Sequence, residues 1–234
     1  MFKKLYLVLF LIITSLTNIS FAQQAGINFS LAFPQGEFGE EVDNLGYGLS
    51  GEFMFLSPKP LSPFGIGVNL GYYVYGRESS RVPWSSYIQS VFLDVEKTNN
   101  LVNFHILFEI GFPTGVIRPY VQGLFGGEYL YTESSVSGEN GQEVIASSTN
   151  YDDWAWSYGA GGGIEVLLGG DPVTEMGAIY LDLKGRYLFG SETTYLKEGD
   201  MYVEQGELIY SPSKSKTDMI TAHIGVRVAL NFAP

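Results

Sequence analysis

The chain has 234 residues, 16 Tyr, 16 Phe, 29 Gly, no cysteine, and a formal charge of −12. That length suits one domain, and the absence of cysteine excludes disulfide stapling and thiol chemistry. The acidity argues against nucleic acid and against any polyanion held by bulk charge.

In chain order, residues 1–22 read as a secretory signal peptide. Lys3 and Lys4 precede the apolar run Leu5 to Ile13, and Ser20-Phe21-Ala22 places small residues at −3 and −1 of a cleavage site. The run is too short for a membrane-spanning helix, which needs about 20 residues. The domain expected to fold is therefore 23–234, and loss of Lys3 and Lys4 leaves it at −14.

Eight stretches then alternate with a period of two, the mark of strands with unlike faces. They are "GINFSLAF", "GYGLSGEFMF", "FGIGVNLGYYVY", "LVNFHILFEIGF", "VIRPYVQGLFGGEYLY", "WAWSYGAGGGIEVLL", "AIYLDLKGRYLFG" and "MITAHIGVRVALNF". Pro119 sits near the start of the fifth, where a missing donor is tolerated most easily. The connections alternate in length, at roughly residues 34–45, 57–63, 76–100, 113–115, 132–152, 170–177 and 190–217. The short ones are rich in turn formers. The long ones are polar and acidic, and "YVEQGELIYSP" alternates as though the last two strands continued upward as a hairpin.

Sorting strand positions by face separates the chemistry. One face carries Glu52, Asn69, Asn103, His105, Glu109, Arg118, Gln122, Glu128, Glu165, Asp182, Lys184, Arg186, His223 and Arg227. The other carries no charge. Its aromatic residues lie at the strand ends: Phe33, Tyr47, Tyr129, Tyr131, Trp154, Trp156, Tyr187 and Phe189 towards the long loops, Phe53, Phe55, Phe64, Phe112 and Phe232 towards the turns. Two aromatic girdles around an aliphatic band match the two interfaces of a bilayer. The fold class expected is an all-β, eight-stranded antiparallel up-and-down transmembrane barrel, with short periplasmic turns and long extracellular loops.

In this pattern the chain resembles the eight-stranded outer-membrane barrels, the OmpA transmembrane domain and the wider outer membrane protein β-barrel group. The resemblance implies an outer-membrane location, contact with lipid and lipopolysaccharide, and biogenesis by the outer-membrane insertion machinery. Such chains usually end on an aromatic residue, whereas Phe232 lies two residues before the end here.

An eight-stranded lumen is filled by side chains. Five acids (Glu52, Glu109, Glu128, Glu165, Asp182) against four bases (Arg118, Lys184, Arg186, Arg227) read as an interior ion-pair network. His105 and His223, on the fourth and eighth strands, read as hydrogen-bonded interior residues rather than metal ligands. No cofactor, metal site or catalytic group is expected. "GAGGGI" fails the dinucleotide-loop spacing and lies within a strand, where its glycines relieve crowding. The loops are the place for binding, with Trp84, Tyr87, Phe92, Tyr195, Tyr202 and Tyr210 expected to be exposed. The leading expectation is a non-enzymatic structural or surface-interaction protein with an unidentified extracellular ligand. A small channel or transport accessory, and a soluble lipocalin-like binder, remain alternatives.

Overall fold

The computed structural model describes residues 23–60, 62–83, 92–137, 144–171, 177–197, 199–204 and 207–230. Residues 1–22 and Phe232 lie outside them, as do Trp84 and Tyr87.

Strands β1 (Gln23–Pro34), β2 (Gly46–Leu56), β3 (Phe64–Pro83), β4 (Phe92–Gly111), β5 (Ile117–Ser137), β6 (Val144–Gly169), β7 (Ile179–Gly190) and β12 (Met219–Leu230) form one closed antiparallel ring. Each pairs with the next in sequence, and β1 closes the ring on β12 from Gln23↔Leu230 to Pro34↔Met219. Closure leaves no free edge through the ring. Three short connections turn at one end. Glycines make two of them possible: Gly115, Gly170 and Gly177 have φ of 103°, 89° and 60°, a left-handed backbone that glycine adopts without strain. Pro119 lies one residue beyond the last β4–β5 pair, Gly111↔Tyr120, and there its carbonyl accepts from the Phe112 N–H at 3.0 Å, so its absent N–H breaks no β4–β5 rung.

The long connections differ from the expected loops. β1, β2, β7 and β12 have 11 or 12 residues, close to the span a tilted strand needs. β3 and β4 have 20 residues each, β5 has 21 and β6 has 26. Residues 76–83, 92–100, 132–137 and 144–152, expected as loop, therefore continue the barrel sheet as a four-stranded extension. Polar Ser and Thr alternate there without an apolar face, so periodicity gave no strand signal; pairing to an already formed hairpin extends the ladder anyway. Arg77–Glu96 at 2.5 Å and Arg81–Asp94 at 3.9 Å tie its outer face.

Residues 190–217 also differ from the expected hairpin continuing β7 and β12. They form two separate two-stranded pairs, β8 (Glu192–Tyr195) with β11 (Ser213–Lys216) and β9 (Met201–Glu204) with β10 (Glu207–Tyr210). A one-and-a-half-turn helix, α1 (Gly36–Glu41), stands between β1 and β2.

Candidate functional site: the lumen and its lid

The ring turns its strands inside out. Every polar lumen-face residue named from the sequence is buried, at 0–6% exposure. Ile27, Leu49, Leu70, Ile106, Phe125, Ile164 and Ile224 on the other face are 40–58% exposed. Below the extension the outward positions of the barrel strands carry no Asp, Glu, Lys or Arg. Phe33, Tyr47, Phe55, Phe64, Phe112, Trp154, Trp156 and Phe189 stand outward and exposed at the ends. Phe53, Tyr129, Tyr131 and Tyr187 share that surface, half-buried against ring neighbours: Phe53 edge-on to Phe55, Tyr129 stacked on Tyr131, and Tyr187 tilted against Phe189.

Arg227, on β12, is the hub of the interior. Its guanidinium lies 2.9 Å from Glu52, 2.6 Å from Glu165, 3.1 Å from Glu109 and 3.6 Å from Asp182. It also covers the Tyr120 ring at 4.9 Å. Lys184 reaches Glu52 at 2.6 Å and Asp182 at 2.7 Å. Arg186 reaches Glu52 at 2.5 Å and donates to Gln122 at 2.7 Å, and Gln122 donates onward to Glu109 at 2.8 Å. Tyr120 donates to Asp182 at 2.5 Å. At the turn end Arg118 lies over the Tyr180 ring at 4.6 Å. A planar fork is the side chain that can hold several carboxylates at once, which is why Arg stands at the centre. The void at this end, between Gln24, Pro58, Glu109 and Arg118, is about 10 Å³, room for about one water.

Not every expected member joins this belt. Glu128 is fully buried some way towards the loop end, accepts a hydrogen bond from Thr217, and has no cation partner among the described residues. The belt is thus four acids with four bases, a closer balance than the expected five against four. Asn69 donates to the Gly51 carbonyl at 3.1 Å. His105 meets Ser157 at 3.0 Å; His223 meets Ser30 at 2.7 Å and Thr221 at 2.9 Å. Among the described residues no three His, Cys, Asp or Glu gather as a metal site. The Ser30–His223 pair was not visible in the sequence, because it forms only where β1 closes on β12. Both residues are buried, and the other ring nitrogen faces a threonine rather than a carboxylate.

The inward glycines of β6 belong to the same construction. A Cβ on Gly163 would lie 2.6 Å from the Tyr120 hydroxyl and 2.7 Å from the Lys184 Cβ. The "GAGGGI" stretch therefore vacates the wall that faces the crowded charged belt.

Above the belt the lumen turns apolar, with Tyr73, Leu101, Leu130, Leu188 and Met219 buried. A lid closes over them. Phe38 of α1 packs edge-on against Tyr75 at 5.7 Å and Tyr195 at 5.1 Å, and Leu196 is buried beside them. Tyr195, expected to be exposed, is 1% exposed and hydrogen-bonds Ser215 at 2.8 Å. The reason is tertiary: β8 folds back over the mouth instead of projecting. Phe92, Tyr202 and Tyr210 lie on β4, β9 and β10.

Asp153 on β6 anchors the lid, accepting from the Thr194 N–H at 2.9 Å and the Thr193 hydroxyl at 2.7 Å. The Thr194 N–H above all holds its carboxyl below the usual range. A depressed folded pKa stabilises above the unfolded value, about 3.9, and that contribution is lost as pH falls through the folded value. Amide exchange of β8 is therefore expected to be constant from neutral pH down to about 4 after correction for intrinsic rates, and to rise below it. Asp153→Asn should remove the pH dependence.

A closed antiparallel ring with a charged interior and a charge-free apolar wall is a transmembrane β-barrel, since only such a wall can meet hydrocarbon while all backbone groups stay paired. Comparison with family models and with curated proteins finds no match. Among solved structures the chain is similar to Neisserial surface protein A, at 13% identity over 91% of this chain and 98% of that one, with a TM-score of 0.41. It is similar also to Ail, the attachment invasion locus protein of Yersinia pestis, at 12% identity over 91% and 100%, TM-score 0.41. The N-terminal β-barrel domain of Pseudomonas aeruginosa OprF matches at 14% identity over 88% and 97%, TM-score 0.32. The barrel itself rests on the strand register and the two faces.

Proposed function

We propose that the chain is a non-enzymatic integral outer-membrane protein, exported by the leader at residues 1–22, that holds a sealed barrel in the bilayer and presents its loop end for surface interaction. The turn end then faces the periplasm, and the two sets of outward aromatics sit at the two lipid interfaces, with lipid and lipopolysaccharide as the surrounding partners. Folding would depend on the outer-membrane insertion machinery. The observation that carries the reading is the ion belt around Arg227, which occupies the lumen from wall to wall. The buried lid around Phe38 supports it, because a conduit would have to cross both layers. A non-enzymatic role is supported by the setting of Ser30 and His223, enclosed where no substrate can reach them. The extended sheet and lid place most of the polar surface at one end, which suits binding.

Single-channel recording in planar bilayers tests this. The wild-type barrel is expected to show no steady openings, and Phe38→Ala none either, because the belt persists beneath the lid. Steady wild-type openings that disappear in Arg118→Ala or Glu128→Ala would establish the channel reading instead.

A further inference from the structure

Beside the lid, the rim of the barrel is notched. β2 accompanies β3 only as far as Tyr47↔Val74, and from Tyr75 onward that side of β3 has no strand neighbour among the described residues. At the same point β3 bulges, its register against β4 shifting between Val74 and Gly76. Two cavities meet there. One, of about 270 Å³, lies on the lid side between the loop after α1 and the rim, and reaches Asp43, Asn99 and Lys197. The other, of about 210 Å³, lies on the outer side over Leu45 and Tyr47. Asn44, Tyr75 and Gly76 line both, so the two are halves of one notch passing over the glycine. Their size is in the lower range of small-ligand sites, about 300–1,000 Å³.

Three features of this notch ask for a ligand. Asn99 is only 5% exposed, and its Oδ1 is taken by the Thr132 hydroxyl at 2.8 Å. Its Nδ2 has no protein partner among the described residues and lies in the lining of the cavity. That amide opens to the cavity rather than being sealed from it, so an acceptor there, water or a ligand oxygen, can take its hydrogen bond. Gly76 keeps that amide accessible: a Cβ there would stand 2.7 Å from Asn99 Nδ2. The two halves also differ in chemistry. The lid side presents carboxylate, amide and backbone groups, whereas the outer side presents Leu45 and Tyr47, 47% and 46% exposed, with Arg77 at its edge.

The charge excludes the common alternatives. Both cations at the notch are already paired, Lys197 with Glu41, whose carboxyl it holds below the usual range, and Arg77 with Glu96 at 2.5 Å. Asp43 adds a further negative charge, so an anion is disfavoured. No group of three metal-ligating side chains exists here among the described residues. An added peptide strand would need a straight, open edge, and the bulge at Tyr75 interrupts this one. What remains is a neutral molecule with hydroxyls on one side and C–H surface on the other. We infer that the notch at Gly76 is a saccharide-binding subsite, in which Asn99 and Asp43 hydrogen-bond ring hydroxyls and Tyr47 receives the C–H face of the sugar. The sugar is supplied either by lipopolysaccharide beside the barrel or by a free external glycan. This rests on the surface-interaction reading, in which the loop end faces outward.

The test is saturation-transfer NMR on the full mature barrel in lipid nanodiscs, with methyl glucoside, methyl galactoside, maltose and lactose as probes. At least one probe is expected to receive saturation at its ring C–H protons. Gly76→Val, which fills the notch with a residue suited to strands, should abolish transfer, and Asp43→Ala, on an exposed loop, should weaken binding about tenfold, one hydrogen bond's worth. Heat-modifiable gel mobility establishes that each variant is folded, and Asp43→Ala decides the matter if Gly76→Val does not fold. Loss of the signal when lipopolysaccharide is built into the nanodisc assigns the site to that glycan, and an unchanged signal assigns it to an external one. No transfer to any probe, or wild-type transfer in both variants, overturns the subsite. A folded, non-conducting barrel that gives that result leaves the sealed-barrel reading standing, while steady conductance overturns that reading and not the subsite.

Discussion

Arg227→Ala should destabilise the folded barrel by about 3–5 kcal/mol, the cost of removing one partner from a buried ion pair. Arg227 is 1% exposed and touches Glu52, Glu109 and Glu165 within 3.1 Å, with Asp182 at 3.6 Å. Without it four carboxylates share the lumen with Lys184, Arg186 and Arg118, and Glu109 and Glu165 lose the guanidinium that lies 3.1 Å and 2.6 Å from them. Arg227→Lys keeps the charge, but a point charge cannot bridge both Glu52 and Glu165 as the fork does, so only part of the loss should return. Urea titration of the barrel in vesicles, followed by heat-modifiable mobility, reads the difference. A change below about 1 kcal/mol, the size seen for an exposed pair, would show that the belt is not dry. Lys214→Ala, which breaks the solvent-exposed pair with Glu192 at 2.5 Å, is the control and should change nothing measurable.

Leu183→Arg should cost about 2–4 kcal/mol, the penalty for a cation on the lipid face near mid-membrane. Leu183 lies between Ile224 on β12 and Ile164 on β6, both outward and exposed to the surroundings of the barrel. Its neighbours in sequence, Asp182 and Lys184, are both buried in the lumen belt. Leu183→Phe keeps the wall apolar and should cost little. Folding yields in lipid vesicles and urea midpoints would separate the two. An arginine variant as stable as the wild type would mean that this wall faces water, and the barrel would be of the lipocalin kind. The two substitutions probe opposite faces of β7 and β12, and their directions are coupled: charge is required on one and forbidden on the other.

The strands that cross the barrel were legible because each has two unlike faces. In "YLDLKGRYLFG" the charges at 182, 184 and 186 fall at every second residue, and a sheet pleat puts every second residue on one side. The extension of β3 to β6 was not legible. "TESSVS" and "VIASSTN" have nothing to segregate, so periodicity carries no information there, and only the growth of an existing ladder makes them strand. The lid was hidden for a different reason. Phe38, Tyr75 and Tyr195 come from three segments far apart in the chain, and nothing local marks them as neighbours.

The sequence by itself determined the inside-out polarity, the number of spanning strands and the identity of the buried charges, because each follows from alternation within one strand. Only the tertiary structure decided who pairs with whom. Ring closure sets Ser30 against His223 and brings four walls onto Arg227, while leaving Glu128 apart from the belt. It also stops β2 short of β3's extension and so opens the notch at Gly76. Such facts depend on register and shear between strands, and a one-residue slip in either would move every side chain to the other face.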